Sequence, residues 1–502
     1  MCIWCSALDN SDGTASRAAQ CRLPGLMVRT CGTLAARMSI LGRPMAKHAG
    51  SLLRWARKFW PELLLIALGV FLRGTMAVTY DVRWGYDFPD HWAYIDWFLT
   101  RRELPPLSVS REAYHPPLFY LLSALIHGAG VPMLHMNVIS IVCGSLRLAI
   151  IWFGLECNLA WNRTARLVAL AVAAVLPAAV HTDGMVTNES LNNLLSAIAI
   201  VLMLKLLRSE SALRWLLALA LGLVVGLGLL TKISALALVG AGGVTAIVEL
   251  CWVGHHGWRA HAGRFLPWVG ALFVTLAVSG WYLAHNERAH GTMLLSGFDG
   301  LDAPWLAPLA NTSYVDRRKA NFFYGWTNDI YASPYYPTGV MPESYFWTPL
   351  VASTFVDYYS FGFAQRTPPV ESYNSRPVPV RAAALSSFAV MGGTWIAMTT
   401  MIAWLVAAVA VWRSKNAGHL LILLVPLAAL LGQLHFAVKF AVDAQGPIKG
   451  AYMQFAAIPL YGLFGLAVTW GWKRGWPGKL AIAFHGVALA TVAIYCFYAR
   501  LG

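Results

Sequence analysis

The stretch Trp60–Thr79 reads WPELLLIALGVFLRGTMAVT, and it leaves the chain few choices. It has the length a helix needs to cross a hydrocarbon core of ~30 Å. In that medium no water satisfies backbone groups, so the segment must pair its own amides as a helix. Similar blocks recur along the chain. Their boundaries predict about twelve spanning or embedded segments, at 59–79, 116–134, 137–157, 164–182, 189–208, 213–230, 232–252, 266–285, 388–412, 419–440, 451–472 and 479–499. Only 12% of the residues are charged, too few to keep a chain of 502 residues in solution outside a membrane. The expectation is an all-α polytopic membrane protein.

The formal net charge of +15 does not point to nucleic acid here, because Lys and Arg flank the apolar blocks. Arg54, Arg57 and Lys58 precede the first block, and Arg208 and Arg214 bracket a short loop. Arg259 with Arg264, Arg413 with Lys415, and Lys473, Arg474 and Lys479 mark three more. By the positive-inside rule all five are cytoplasmic. The N-terminus is then cytoplasmic, and residues 80–115 and 286–387 form two long external loops, with shorter external turns at 183–189 and 442–450. One parity problem arises: three blocks lie between 80–115 and 183–189, where an even number of crossings is required. Either 116–134 dips in and returns, or one block is misdivided.

The chain divides accordingly. Residues 1–58 are an N-terminal tail expected to be disordered, with Met38 or Met45 as alternative starts suggested by the change of composition. Residues 59–285 form a transmembrane module, 286–387 an aromatic-rich external loop, and 388–502 the C-terminal helices. Of the eight cysteines, Cys143, Cys157, Cys251 and Cys496 lie in apolar segments. The Cys2–Cys5 pair lacks a second pair at metal spacing.

Acidic residues past position 80 fall almost wholly on the external side. Glu62, Arg73, Arg147, Lys205, Lys232 and Glu249 lie in or near apolar blocks, where snorkelling of long side chains toward the interface is the expectation. The first loop contains YDFPDHWAYIDWFLTRREL over 86–104. Trp92, Ile95, Trp97, Phe98 and Leu99 predict one greasy side of an interfacial helix, interleaved with Asp90, His91, Tyr94, Arg101 and Arg102. Asp87 precedes this helix. Read plainly it is an N-cap; read functionally it is a carboxylate at the membrane surface. His91 follows four residues on. His115-Pro116-Pro117 starts the next embedded helix, where Pro is tolerated. Asn188 and Glu189 stand at another helix start, with Thr187 or Asn188 as the plain N-cap.

These pieces in this order resemble one family. An acid–His–Tyr loop runs on to HPPLFYLL, and VTNESL, GLGLLTKISALAL and KGAYMQFAAIPLYGLFG follow. Together they are similar to the GT-C superfamily of membrane glycosyltransferases, which includes protein O-mannosyltransferases and lipid A aminoarabinose transferases. The resemblance implies a bundle of about 11–13 transmembrane helices with two long external loops carrying interfacial helices. It implies a polyprenyl-phosphate sugar donor, an acceptor (lipid, glycan or protein) on the external face, and transfer with inversion, in a cell (inner) membrane. Asp87 matches the acidic position that serves as base or as ligand to a divalent cation (Mg or Mn). Relatives often carry two adjacent acids, whereas here Phe88 follows Asp87 and Asp90 is the nearest substitute. His91, His115, Asn188, Glu189 and Lys232 match polar positions of the family. Relatives often have Gly-Arg-Tyr near the C-terminus where this chain has Gly450-Ala451-Tyr452, so Lys449 becomes the candidate for the donor phosphate, with Lys439 and Arg147 as others.

Two other classes compete. A flippase of lipid-linked saccharides would show repeated halves and midplane charges, and no internal repeat is visible. A non-catalytic relative of the same fold is kept open by the broken acidic pair.

Overall fold

The computed structural model describes residues 45–501, apart from 159–161, 210–211, 253–257, 296–308, 310, 333, 335–344, 358–379 and 442–446. The expected tail (residues 1–44 of it), the Cys2–Cys5 pair, much of the aromatic loop and most of the 442–450 turn lie outside the described residues.

The described residues form helices and no strand. In chain order these are α1 (Met45–Thr79), α2 (Phe88–Arg101), α3 (Leu118–Gly128), α4 (Val138–Asn158), α5 (Arg163–Val175), α6 (Pro177–Asp183), α7 (Glu189–Arg208), α8 (Ala212–Leu229), α9 (Leu236–Trp252) and α10 (Trp258–His290). There follow α11 (Ala320–Tyr324), α12 (Asp329–Ala332), α13 (Trp347–Phe355), α14 (Val380–Ser414), α15 (Ala417–Lys439), α16 (Ala457–Trp472) and α17 (Trp476–Leu501). Nine helices among the described residues are long and apolar enough to cross a membrane. The pair α5 and α6, bent by 49°, passes the same test jointly. The bend has a local cause: Leu176 precedes Pro177 and is extended, at φ −63° and ψ 121°, as the proline ring requires of its neighbour.

Side-chain contacts fix which helix ends lie together. Asn137, just before α4, donates to the carbonyls of Met76 in α1 and Gly184 after α6. Arg163, at the start of α5, reaches Glu62 and the Lys58 carbonyl at the other end of α1. Hence α4 and the α5–α6 pair are the two crossings between the loops that both lie at the first of these ends. The third block is α3, whose 11 residues extend about 16 Å at 1.5 Å per residue, too short to cross. The parity problem is resolved in favour of a segment that does not traverse. Arg214, early in α8, pairs with Glu249 late in α9, whereas Lys232, in the break between those helices, pairs with Glu189 at the start of α7. So α8 also runs end to end.

Close packing between α8 and α10 uses small residues. A methyl group at Gly222 or Gly226 would stand 2.7 Å from the Cβ of Val274 or Val278. Glycine four residues apart lets two helices approach where lipid supplies no hydrophobic drive.

Two expectations about charge are corrected. Arg73 and Arg147 do not snorkel: they are 0% and 1% exposed. Both donate to the same Oδ2 of Asp183, at 2.8 and 3.0 Å. A guanidinium deep in a bundle cannot reach water, so it is retained only with a counter-charge. Arg147 is therefore committed inside the bundle, rather than free for a phosphate at its end. Glu62 and Glu249 are likewise buried and paired, with Arg163 and with Arg214 and Arg264.

Candidate active site

The amphipathic helix α2 shows a different buried face from the one expected. Phe88, His91, Tyr94 and Ile95 are buried, while Trp92, Trp97, Phe98 and Leu99 are partly covered. The reason is α3, which packs against it. Tyr120 stacks on Tyr94 with ring centroids 3.9 Å apart, and its hydroxyl lies 2.9 Å from Nδ1 of His91. Polar edges on these rings find partners inside, so they tolerate burial that the alternation of polar residues does not suggest.

Asp87 stands at the N-cap position of α2 but does not cap it: its side chain makes no cap hydrogen bond. Its backbone is left-handed, at φ 53°, a conformation that costs a residue with a Cβ roughly 1–2 kcal/mol. The carboxylate instead faces charge. Lys449 Nζ is 3.6 Å from Oδ2 and Arg111 Nη2 is 3.7 Å from Oδ1. Burial acts to raise the Asp87 pKa, but Lys449, then His91 and Arg111, outweigh it and hold the group below the usual carboxylate range.

Lys449 is delivered by a break in the helical run. It is extended at φ −130°, ahead of a 3-10 segment Gly450–Ala456 that leads into α16. Glycine is needed at 450 because a methyl there would lie 2.7 Å from Cα and 2.8 Å from N of Thr354 in α13. The Gly450 amide donates to Ser353 Oγ at 2.8 Å. Part of the aromatic loop is thus folded against the end of the bundle, and Phe322, Phe346 and Leu350 share a buried cluster with Val438 and Ile448.

Lys232 is also extended, at φ −158°, and its ammonium bonds Glu189. The two lysines bracket one ring: Lys232 Nζ lies 4.5 Å and Lys449 Nζ 5.6 Å from the centroid of Tyr452. Lys449 also stands 4.5 Å from the Tyr86 ring. Aromatic faces stabilise such cations without neutralising them.

The structure therefore brings together Asp87, His91, His115, Glu189, Lys232, Lys449 and Tyr452. Asn188 is buried beside them, with Nδ2 3.4 Å from the Thr231 carbonyl rather than capping α7. Asp90 turns to Arg111, which donates Nε and Nη2 to its Oδ2 at 2.9 and 2.7 Å and its backbone amide to Oδ1 at 2.9 Å. Lys439 packs over Phe440 at 5.0 Å.

Arg111 and Glu112 were not singled out by sequence. Glu112 Oε2 lies 2.7 Å from His115 Nε2. Burial pushes the Glu112 carboxyl up to about 7, against the lowering effect of His91 and the nearby lysines. Burial also holds His115 well below the ordinary imidazole range, with Lys232 adding to it. A turn in which the His115 amide donates to the Glu112 carbonyl makes the pair; the signal in the sequence is an acid three residues ahead of a histidine that leads into Pro-Pro.

A divalent cation does not fit Asp87 well. Two cationic side chains already flank its oxygens, and no group of three or more Asp, Glu, His or Cys suited to a metal occurs among the described residues.

Residues 114–283 match the family model of the dolichyl-phosphate-mannose-protein mannosyltransferases. That segment holds His115, Asn188, Glu189 and Lys232; Asp87, Glu112 and Lys449 lie outside it. No curated protein matches the chain by sequence. Among solved structures, the chain is similar to ArnT from Cupriavidus metallidurans in the apo state, at 14% identity and a TM-score of 0.49, covering 89% of this chain and 76% of that one. It is similar to the archaeal oligosaccharyltransferase AglB from Archaeoglobus fulgidus in complex with an inhibitory peptide and a dolichol-phosphate, at 13% identity and 0.48, covering 89% and 56%. The Archaeoglobus fulgidus oligosaccharyltransferase with Zn and sulfate matches at 13% and 0.47, covering 86% and 53%. The chain spans little more than half the length of that archaeal enzyme. The protein is an integral membrane protein that over residues 114–283 is similar to the dolichyl-phosphate-mannose-protein mannosyltransferases.

Proposed function

We propose that the protein moves a sugar from a polyprenyl-phosphate carrier to an acceptor hydroxyl. The observation that carries this reading is the charge arrangement at one end of the bundle. One carboxylate, Asp87, faces Lys449 at 3.6 Å, and a second ammonium, Lys232, sits across the same tyrosine ring. A lipid phosphate that leaves the sugar gains negative charge, and fixed cations stabilise it as it develops. Lys449 and Lys232 supply that role. Asp87 remains ionised beside Lys449, orients it, and offsets positive charge on the anomeric carbon as the bond to phosphate lengthens, as carboxylates do in glycosidases. His91 and His115 line the same region, and Tyr452 and Tyr86 offer ring faces to the sugar.

The donor class follows the family to which residues 114–283 are similar. The flanking arginines and lysines of the opposite loops support a site on the external face of a cell (inner) membrane, with the N-terminus cytoplasmic. Transfer proceeds with inversion in one displacement.

The test is transfer of radiolabelled sugar from a polyprenyl-phosphate sugar by the purified full chain. Asp87→Ala and Asp87→Asn should both lose transfer while eluting as folded protein. Wild-type rates in both variants would remove Asp87 from the chemistry. A flippase would instead carry labelled lipid across liposomes and form no glycosylated product.

A further inference from the structure

Four carboxylates gather at the site, and three are spoken for by Lys or Arg. Asp87 has Lys449 and Arg111, Asp90 has Arg111, and Glu189 has Lys232. Glu112 is the exception: it pairs with an imidazole, that of His115. The imidazole is buried and held in place by its neighbours. Its ring lies 4.1 Å from that of Tyr114 and stacks 6.5 Å from His91, and the His115 carbonyl accepts from the Tyr94 hydroxyl. Its Nδ1 has no partner among the described residues. Glu112 keeps a small opening, with 13% of its side chain exposed.

We propose that Glu112, hydrogen-bonded to His115, is the base that takes the acceptor's proton, while Asp87 serves only as a charged group. The assignment rests on the glycosyl-transfer reading above. A carboxylate neutralised by two cations is a weak base; one bonded to a neutral imidazole keeps its basicity and holds the proton it takes. A base works best when its proton affinity is matched to the working pH, and Glu112 at about 7 meets that condition. The groups facing it are Asp87 and His91 from the start of α2, Arg111, Tyr114 and His115 on its own segment, Tyr120 from α3, Lys232 from the α8–α9 break, and Lys449 and Tyr452 from the approach to α16.

The step balances. The bond between the anomeric carbon and the phosphate oxygen breaks, and its electron pair stays on that oxygen. The acceptor oxygen bonds the anomeric carbon, and its proton moves to the Glu112 carboxylate. The lipid phosphate leaves as a monoester with one more negative charge, beside Lys449 and Lys232, and the proton on Glu112 compensates that charge within the site.

The experiment uses the full chain in detergent with dolichyl-phosphate [³H]mannose as donor and either water or azide ion as acceptor. Azide carries no proton to remove. With water, wild-type turnover should rise with pH through about 7, and with azide that dependence should vanish. Glu112→Gln should lose at least ~100-fold of transfer to water, while transfer to azide stays near wild type. Asp87→Asn should lose both. A wild-type water reaction flat through neutral pH overturns the assignment without any variant. So does Glu112→Gln at wild-type rates with water, or equal loss with both acceptors. Glu112→Asp, which keeps a carboxylate, should recover part of the water reaction; if Glu112→Gln fails to fold, a Glu112→Asp protein with no activity toward water but full donor retention overturns the proposal. A wild type that transfers to neither acceptor overturns the glycosyl-transfer reading itself.

Discussion

Lys449 and Asp87, 362 positions apart in the chain, face each other with Nζ 3.6 Å from Oδ2. Lys449 is 7% exposed, so its charge depends on that carboxylate and on the rings of Tyr86 and Tyr452. Lys449→Gln should raise the donor KM and lower kcat together, costing ~10²-fold or more in kcat/KM, as loss of one fixed donor to a developing anion does elsewhere. Lys449→Arg should recover a part of it. Steady-state kinetics with a polyprenyl-phosphate sugar checks both; an unchanged KM for Lys449→Gln would place the phosphate elsewhere.

The left-handed backbone at Asp87 separates two losses that activity alone merges. Asn occupies that region more readily than other residues with a side chain. Asp87→Asn should therefore melt within about 1 kcal/mol of Asp87→Gly, and Asp87→Ala should be the least stable of the three. All three should be inactive. Thermal unfolding in detergent, followed alongside transfer, reads the difference.

Gly450 positions Lys449 by letting α13 come close. Gly450→Ala should drive its methyl into the Thr354 backbone and lower transfer, at a stability cost of about 1–3 kcal/mol. Gly432 in α15 is the control: a methyl there meets nothing within 4 Å, and Gly432→Ala should be neutral or stabilising by up to ~1 kcal/mol.

Asp183 neutralises one of two buried guanidinium groups, Arg73 and Arg147. Asp183→Leu would leave both without their shared carboxylate. A loss of roughly 3–5 kcal/mol is expected, visible as failure to recover monodisperse protein. Arg147→Met, which leaves one guanidinium on one carboxylate, should be the milder change.

Glu112 also links stability to pH. Its folded pKa of about 7 lies above its ordinary value of 4.5, so the folded chain binds a proton that the unfolded chain releases. That contribution is fully present below about pH 4.5, shrinks as pH rises and is gone above about 7. Melting temperature should fall over that window, by an amount corresponding to at most about 3 kcal/mol, and Glu112→Gln should flatten the slope. A wild type whose melting curve and that of the variant run parallel with pH would show that Glu112 titrates normally.

How much of this was legible in the sequence varies with the range of the interaction. The apolar blocks each had to become a helix, because a backbone in hydrocarbon has no other way to pair its amides; all twelve are helical. The break at Leu176-Pro177 is equally local. Asp87, His91, Glu189, Lys232 and Lys449 could be picked out because each sits next to a turn between apolar runs.

Pairing was a different matter. Which cation meets which carboxylate depends on helix order around the bundle, and composition carries no record of that. Arg147 looked as available as Lys449, yet one is locked onto Asp183 and the other faces Asp87. Block 116–134 was apolar enough to span; the helix that forms there is 11 residues long, with Tyr120 turned toward His91 and Tyr94 on α2. Local chemistry determined that the chain would be a membrane bundle with polar breaks at helix ends. Only the tertiary packing decided that those breaks meet at one end, and which of their charges are left to act on a substrate, because a charge in a low-dielectric interior is defined by its neighbours.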